Sequence, residues 1–292
     1  MTEGLLTVRD FFRFAVTEFT RAKLHFGHGA TNAIDEAAFL TLEALSLPID
    51  DINPWLDARL TQAEQKRVLS LIEDRVRTRR PAAYLLNKAY IQGVPFYVDE
   101  RVIVPRSYIG ELLAAGADFL PPPDAVRSVL DLCAGSGCLA ILAAYAYPDA
   151  EICAVDLSAA ALEVARRNID EHRLGDRISL VEGDLFAPLG ARKFDLILTN
   201  PPYVDAEAVA SFPPEYRAEP LVAHAGGEDG LDIVRRIVAA APAHLAADGG
   251  LLCEIGTGRD RLEADYPGLP FLWPDTEESA GEIFWLTRED FG

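Results

Sequence analysis

Residues 126–157 read VRSVLDLCAGSGCLAILAAYAYPDAEICAVDL, and the way this run divides decides the fold. Its ends, 126–133 and 151–157, are short apolar segments of strand length. The middle, 138–147, is a longer run of small and apolar residues suited to a buried helix. Two glycines, Gly135 and Gly137, sit where the first strand must turn into that helix. The same grammar continues towards the C-terminus. A helix is expected over 159–172, strands over 178–184 and 194–200, a helix over 231–246, and strands over 249–256 and 282–287. Strands alternating with helices predict a doubly wound, mostly parallel sheet covered on both faces. Ligands of such sheets bind beyond the carboxyl ends of the strands, where every motif described below lies.

Upstream the pattern is helical. Residues 8–26 form an amphipathic segment offering Phe11, Phe14, Val16 and Phe19 to a core, and a second helix is expected over 32–45. Thr61-Gln62-Ala63-Glu64 is a capping-box pattern ahead of Val68, Leu69, Ile72 and Val76. That third helix stops before Pro81, with Arg75, Arg77, Arg79 and Arg80 as a solvated cluster near its C-terminal dipole. A β-hairpin around Gly93 and a helix over 107–120 connect this unit to the alternating part. The divisions are 1–88, a helical unit; 89–104, a hairpin linker; and 105–292, the α/β domain.

Composition narrows the functional classes. Of 292 residues, 50% are hydrophobic and 25% charged, enough to bury a sizeable core and too ordered a mixture for a disordered chain. The chain carries 27 basic and 46 acidic residues, a net charge of −19. Residues 101–292 hold 15 basic and 32 acidic residues, and therefore −17 of it. Such a surface repels free duplex DNA, whose binding rests on neutralised phosphates, and suits a basic protein partner. Arg9, Asp10, Arg13 and Glu18 interrupt any leader-like apolar stretch. The uncharged run 132–148 falls short of the ~20 residues of a membrane helix. Cys133, Cys138, Cys153 and Cys253 lack CxxC spacing and read as buried thiols, and neither they nor the five histidines have metal-ligand spacing. A cytoplasmic protein with no membrane partner is expected.

Three motifs carry chemistry. The first is Asp131-Leu132-Cys133-Ala134-Gly135-Ser136-Gly137, in which the glycines permit a tight turn and leave room for a ligand against bare backbone. With Ala140 it also satisfies GxGxxA, so a dinucleotide-dependent oxidoreductase remains open. Asp131 favours a ligand bearing an ammonium or sulfonium charge over a pyrophosphate. The second is Asp156, 19 residues after Gly137 at the end of the next strand, placed to accept both hydroxyls of a ribose. Ser158 is the better cap for the following helix. Asp184 and Leu185, ending the third strand, could frame an adenine, or could be an ordinary strand end.

The third motif is Asn200-Pro201-Pro202-Tyr203 at the end of the fourth strand. Two prolines fix φ and remove two N–H donors, so the corner presents acceptors. Asn200 Oδ1 and the Pro201 carbonyl can hold the two hydrogens of an –NH₂ group while the Tyr203 ring supports a flat substrate. Such a site works by orientation and electrostatic stabilisation and needs no strong base.

Together these motifs resemble the class I S-adenosylmethionine-dependent methyltransferases that modify planar nitrogens. The likeness extends across nearly the whole chain. Gly27-His28-Gly29-Ala30-Thr31-Asn32-Ala33, Pro81-Ala82-Ala83-Tyr84-Leu85 and Phe96-Tyr97-Val98-Asp99-Glu100-Arg101-Val102 are similar to segments of the protein-glutamine N5-methyltransferases. Val104-Pro105-Arg106-Ser107, Glu219-Pro220 and Gly226-Gly227-Glu228-Asp229-Gly230 resemble the branch acting on large-subunit ribosomal protein L three. Tyr108 departs from that branch's pattern without touching a motif atom.

The resemblance implies a seven-stranded sheet, a helical N-terminal unit that recognises the substrate protein, and transfer of a methyl group to a glutamine amide. S-adenosylmethionine would be the donor and S-adenosylhomocysteine the product. The implied cofactor residues are Asp131, Cys133, Ala134, Gly135, Ser136, Gly137, Asp156, Leu157, Asp184, Leu185 and Asn200; the implied catalytic and substrate residues are Asn200, Pro201, Pro202 and Tyr203. The partner would be a basic ribosomal protein, free or within a ribosome assembly intermediate. Release factors, and an exocyclic amine of DNA or RNA, remain as alternative acceptors.

Overall fold

The computed structural model describes residues 4–277 and 279–292; the first three residues of the expected 1–88 unit lie outside them. Helix α1, Val8–Arg21, starts at a Thr7/Asp10 capping box and buries Val8, Phe11, Ala15 and Phe19. Phe14 and Val16 are only partly buried. The helix stops short of the expected 26 because Lys23 turns left-handed at φ 49°. The Leu24 N–H then closes onto the Phe19 carbonyl at 3.2 Å, a Schellman ending. Helix α2, Ala33–Ala44, is capped by Asn32, and α3, Gln62–Thr78, by the expected Thr61/Glu64 box. A short helix not anticipated from sequence, α4, Ala82–Leu86, begins at Pro81. Helices α1, α2 and α3 share a core of Phe11, Phe19, Leu40, Val68 and Ile72, which Ala82 of α4 joins.

Strands β1, Ala89–Ile91, and β2, Val94–Phe96, pair antiparallel around Gln92 and Gly93. Both turn residues have positive φ, 50° and 73°, as a two-residue hairpin turn requires. Helix α5, Ile109–Ala115, ends at left-handed Gly116, earlier than the proline run that sequence pointed to. The alternating part follows: β3, Ser128–Leu132; α6, Cys138–Ala146; β4, Glu151–Asp156; α7, Ala159–Glu171; β5, Ile178–Glu182; and β6, Phe194–Thr199. Then come α8, Ala206–Ala210; α9, Asp232–His244; β7, Leu245–Glu254; α10, Arg259–Asp265; and β8, Ile283–Thr287.

The main sheet has the order β5-β4-β3-β6-β7-β8, parallel throughout except for the antiparallel β7/β8 pair. Side chains alternate between its faces. Val129, Ile152, Leu196 and Leu198 pack with α5 and α6, whereas Leu130, Leu132, Val155 and Ile197 pack with α9. The chain winds outward from β3 in one direction and from β6 in the other, so the crevice opens where these two neighbours end.

Two expectations are corrected. The sheet has six strands, not seven, among the described residues. A further antiparallel pairing on β8 is reduced to the single bridge Leu272–Trp285, with Pro270 and Pro274 on either side of it. Prolines there cannot extend a ladder, because they have no N–H to give. The second correction concerns Arg75, which is fully buried rather than solvated. Its Nε donates to Glu36 Oε1 at 2.6 Å, and its Nη1 and Nη2 donate to the carbonyls of Arg79 and His25. Arg79 in turn pairs with buried Glu215 at 2.6 Å, which also accepts the His25 N–H. Only Arg77 of the four is largely exposed.

Removing one member of a buried ion pair strands the other charge. Arg75→Met is therefore expected to lower folding stability by about 3–5 kcal/mol in urea titration. A loss below about 1 kcal/mol, typical of a surface pair, would contradict this placement.

Candidate active site

The crevice of about 170 Å³ at the β3/β6 switch point is lined by three groups of residues. The strand ends contribute Cys133, Gly135, Asp156, Leu157, Asp184, Leu185, Asn200 and Pro202. A crossover ahead of α5 contributes Arg101, Val102 and Ile103, and the loop before α9 contributes Pro220, Val222, Ala223 and Ala225. Sequence reasoning named the first group as site residues; of the other two it quoted Arg101, Val102 and Pro220 only within segments of family resemblance, and not Ile103, Val222, Ala223 or Ala225. Their residues are mostly apolar and far apart in the chain, so they carry no local signal.

The glycine turn is built by backbone geometry. Cys133, Gly135 and Gly137 all have positive φ, between 53° and 76°. Gly135 faces the crevice. Gly137 serves packing instead, since a Cβ there would come within 3.1 Å of Ala165 on α7. Ala134 and Ser136 also lie outside the lining: the Ala134 N–H bonds to the Val155 carbonyl, and the Ser136 carbonyl accepts from buried Asn168.

Asp156 sits where expected. Its Oδ2 accepts the Gly135 N–H and its Oδ1 the Ser158 N–H, each at 2.8 Å, while Ser158 caps α7. Each oxygen keeps a lone pair for a ligand. Burial raises its pKa, against the pull of those backbone N–H groups. Asp131 departs from expectation, being fully buried on the α6 side of β3 and not part of the crevice lining. Its Oδ2 accepts the Ala140 N–H at 3.0 Å, and its buried Oδ1 has no protein partner. Burial first, and the nearby Asp156 charge as well, push its pKa up to about 8. Asp184 lines the crevice but shares its Oδ2 with Arg236 at 2.7 Å; Leu185 is buried beside it.

At the end of β6, Asn200 Nδ2 donates to the Arg106 carbonyl at 3.2 Å. Only the NH₂ end can make this bond, so the other end of the amide, Oδ1, is the acceptor left for a ligand. Pro201 is buried behind it. Tyr203 is not part of the lining. Its hydroxyl donates to Glu254 Oε1 at 3.0 Å, and its ring packs so closely on Gly256 that a Cβ there would approach to 2.8 Å. Tyr203 therefore braces the corner from behind. Glu254, at the end of β7, also accepts from Ser107 Oγ at 2.7 Å and the Tyr108 N–H at 3.1 Å. The Tyr108 backbone thus meets Glu254, the residue that also holds the Tyr203 hydroxyl, and not a motif atom itself. Burial raises the Glu254 carboxyl to about pH 7, against those three donors.

The family model described as "Methyltransferase small domain" matches residues 116–212. The chain is 58% identical over 293 aligned residues to a ribosomal protein uL3 glutamine methyltransferase of Bradyrhizobium diazoefficiens, covering 98% of this chain and 92% of that one. A protein of the same name from Bordetella pertussis is 52% identical, with 98% and 97% covered. Among solved structures, a methyltransferase from Pyrococcus furiosus superposes with a TM-score of 0.50 at 16% identity, covering 78% of this chain and 99% of that one.

The raised Glu254 carboxyl fixes the sign of a pH effect. Between its ordinary value of 4.5 and about 7 the folded protein keeps a proton that the unfolded chain releases, so ionisation favours unfolding. Stability of the parent is expected to fall, relative to Glu254→Gln, as pH rises through that window and to level off above it. Urea midpoints of both proteins at several pH values read this difference; parallel curves would refute it.

Proposed function

The chain belongs to the ribosomal protein uL3 glutamine methyltransferases, and from that premise we propose that it methylates the side-chain amide nitrogen of a glutamine in uL3. It is an S-adenosylmethionine-dependent enzyme of the class I fold. Relatives at 52 and 58% identity support the ribosomal protein over the release factors and nucleic-acid amines.

The residues fit the donor. Asp156 offers two carboxylate oxygens to ribose hydroxyls, and Val155, Leu157, Leu185 and Ile233 give an apolar slot for a flat base. Gly135 lets backbone approach. When bound, S-adenosylmethionine supplies an electrophilic methyl group on a sulfonium. A glutamine amide is a poor nucleophile, because its lone pair is delocalised into the carbonyl. Asn200 Oδ1 and the Pro201 carbonyl accept its two hydrogens, raise electron density on nitrogen and fix its direction of approach. The proton lost on methylation passes to water. The observation that carries this reading is the Asn200 amide, tethered through Nδ2 with Oδ1 left for the crevice.

The expected division of labour is part of the same proposal: residues 1–88 recognise the substrate, 89–104 link, and 105–292 catalyse. The separate helical core supports it. The −17 charge of residues 101–292 favours a basic ribosomal protein, free or within an assembly intermediate. Four free cysteines favour the cytoplasm; among the described residues, no helix is long and apolar enough to cross a membrane.

Incubation with labelled donor and unmethylated uL3, followed by mass spectrometry, should find one extra methyl on a glutamine; no label in uL3 would refute the substrate. Asn200→Ala is expected to lower kcat by about 10²–10³-fold, as loss of one preorganised polar contact does, with donor affinity unchanged. In a separate calorimetric comparison, Asp156→Ala should weaken donor binding by about 1–3 kcal/mol. Unchanged affinity would remove Asp156 from the donor site.

A further inference from the structure

We propose that segment 104–108 is a positioning device for the acceptor amide, clamped by the buried carboxylates of Glu219 and Glu254 so that the Arg106 carbonyl sets which end of Asn200 faces the crevice. The inference rests on the function proposed above and adds residues to it.

Glu219 has a fully buried side chain. Its Oε1 accepts the Val104 N–H and Arg106 Nη1, and its Oε2 accepts Arg106 Nη2, all at 2.8 Å. Arg106 Nη1 also reaches the Val104 carbonyl at 3.0 Å, closing the segment on itself around Pro105. Two donors in a planar fork make this pair directional as well as strong. On the other side, Glu254 takes Ser107 Oγ, the Tyr108 N–H and the Tyr203 hydroxyl. The one carbonyl between these two clamps that meets the catalytic corner is that of Arg106, 3.2 Å from Asn200 Nδ2.

The bond matters because an asparagine amide has two nearly equivalent orientations about its last torsion. One presents Oδ1 to the acceptor –NH₂. The other presents Nδ2, two donors meeting two donors, which removes the attraction the reaction needs. A fixed carbonyl behind Nδ2 selects the first. Glu219 also brings in the helical unit: His28 Nε2 lies 3.6 Å and His224 Nε2 2.9 Å from its Oε2. The His28 ring sits 4.3 Å from that of Tyr216, over which Arg106 is stacked. Asn200 is thus tied, through one carboxylate, to the part of the chain proposed to recognise the substrate.

Arg106→Met and Glu219→Gln should each lower kcat about tenfold or more, equivalent to about 1.4 kcal/mol. KM for uL3 and calorimetric affinity for S-adenosylmethionine should stay within about threefold, a change under 1 kcal/mol. Arg106→Lys, which keeps the charge and some donors, should fold and recover part of the rate. A second readout needs no turnover. The Asn200 side-chain NH₂ resonances, assigned by their loss in Asn200→Ala, should shift in Arg106→Met and Glu219→Gln, and less in Arg106→Lys. An unchanged kcat, unmoved resonances, or a loss of donor affinity matching the loss of kcat would overturn the proposal. If the parent enzyme leaves uL3 unlabelled, the substrate assignment fails, and the resonances still decide the positioning claim.

Discussion

Strand β6 ends because Pro201 and Pro202 have no N–H with which to continue a ladder, and the site is organised around that stop. At the last residue before the prolines the chain leaves the sheet beside β3, where the two halves of the winding diverge. Asn200 is therefore held at the mouth of the crevice by a strand buried on both faces. Its neighbour Thr199 is equally fixed, donating its hydroxyl to the Leu132 carbonyl at 2.9 Å. A corner built this way has little freedom to rearrange, which is what a reaction driven by orientation requires.

Four carboxylates surround this corner, and their environments give them different work. Glu219 faces an arginine fork and two histidines, and it is held well below the ordinary carboxylate range despite its burial. It acts as a permanent charge that anchors chain. Glu254 has neutral donors only, Ser107, Tyr108 and Tyr203, and burial wins, raising its pKa to about 7. Asp156 accepts two backbone N–H groups and remains at the crevice wall, where further donors can reach it. Asp131 has one backbone donor and a fully buried side chain, and burial raises its pKa to about 8. Asp131, Glu219 and Glu254 are buried and Asp156 is partly so; the partners decide whether each is a clamp, a ligand or a latent charge.

Much of this was legible in the sequence. The switch from helical periodicity to alternating strands located the sheet, because parallel strands covered on both faces are continuously apolar. The capping box at Thr61 was legible because it is local, needing only residues three apart; the equivalent box at Thr7 was not read in advance. Asp156 and Asn200 were found for a similar reason: strand ends in a doubly wound sheet have one possible destination. What failed was long-range. Arg75 looked like a solvated helix end, but its partners are 39 residues away in Glu36 and on the far side of the chain in Glu215. The placement of Tyr203 outside the crevice lining, with its hydroxyl on Glu254 and its ring on Gly256, likewise depends on residues about fifty positions away. Asp131 followed its strand's alternation to the α6 face, a register that motif spacing alone does not give.

The same distinction explains why the helical unit cannot be a passive attachment. It meets the rest through the Arg79–Glu215 ion pair, the His25 N–H on Glu215, His28 close to Glu219, and a shared apolar cluster in which Ala83 and Tyr84 pack with Val102, Ala161 and Val164. Both glutamates belong to the irregular stretch between Asn200 and α9, the longest part of the α/β region without regular strands. That stretch also supplies Pro220, Val222, Ala223 and Ala225 to the crevice wall. A loop of that length has a large conformational entropy to lose, and the Arg79–Glu215 and Arg106–Glu219 pairs fix it at two points. The wall of the crevice is therefore shaped from outside the sheet, by helices whose sequence separation from it hides the connection.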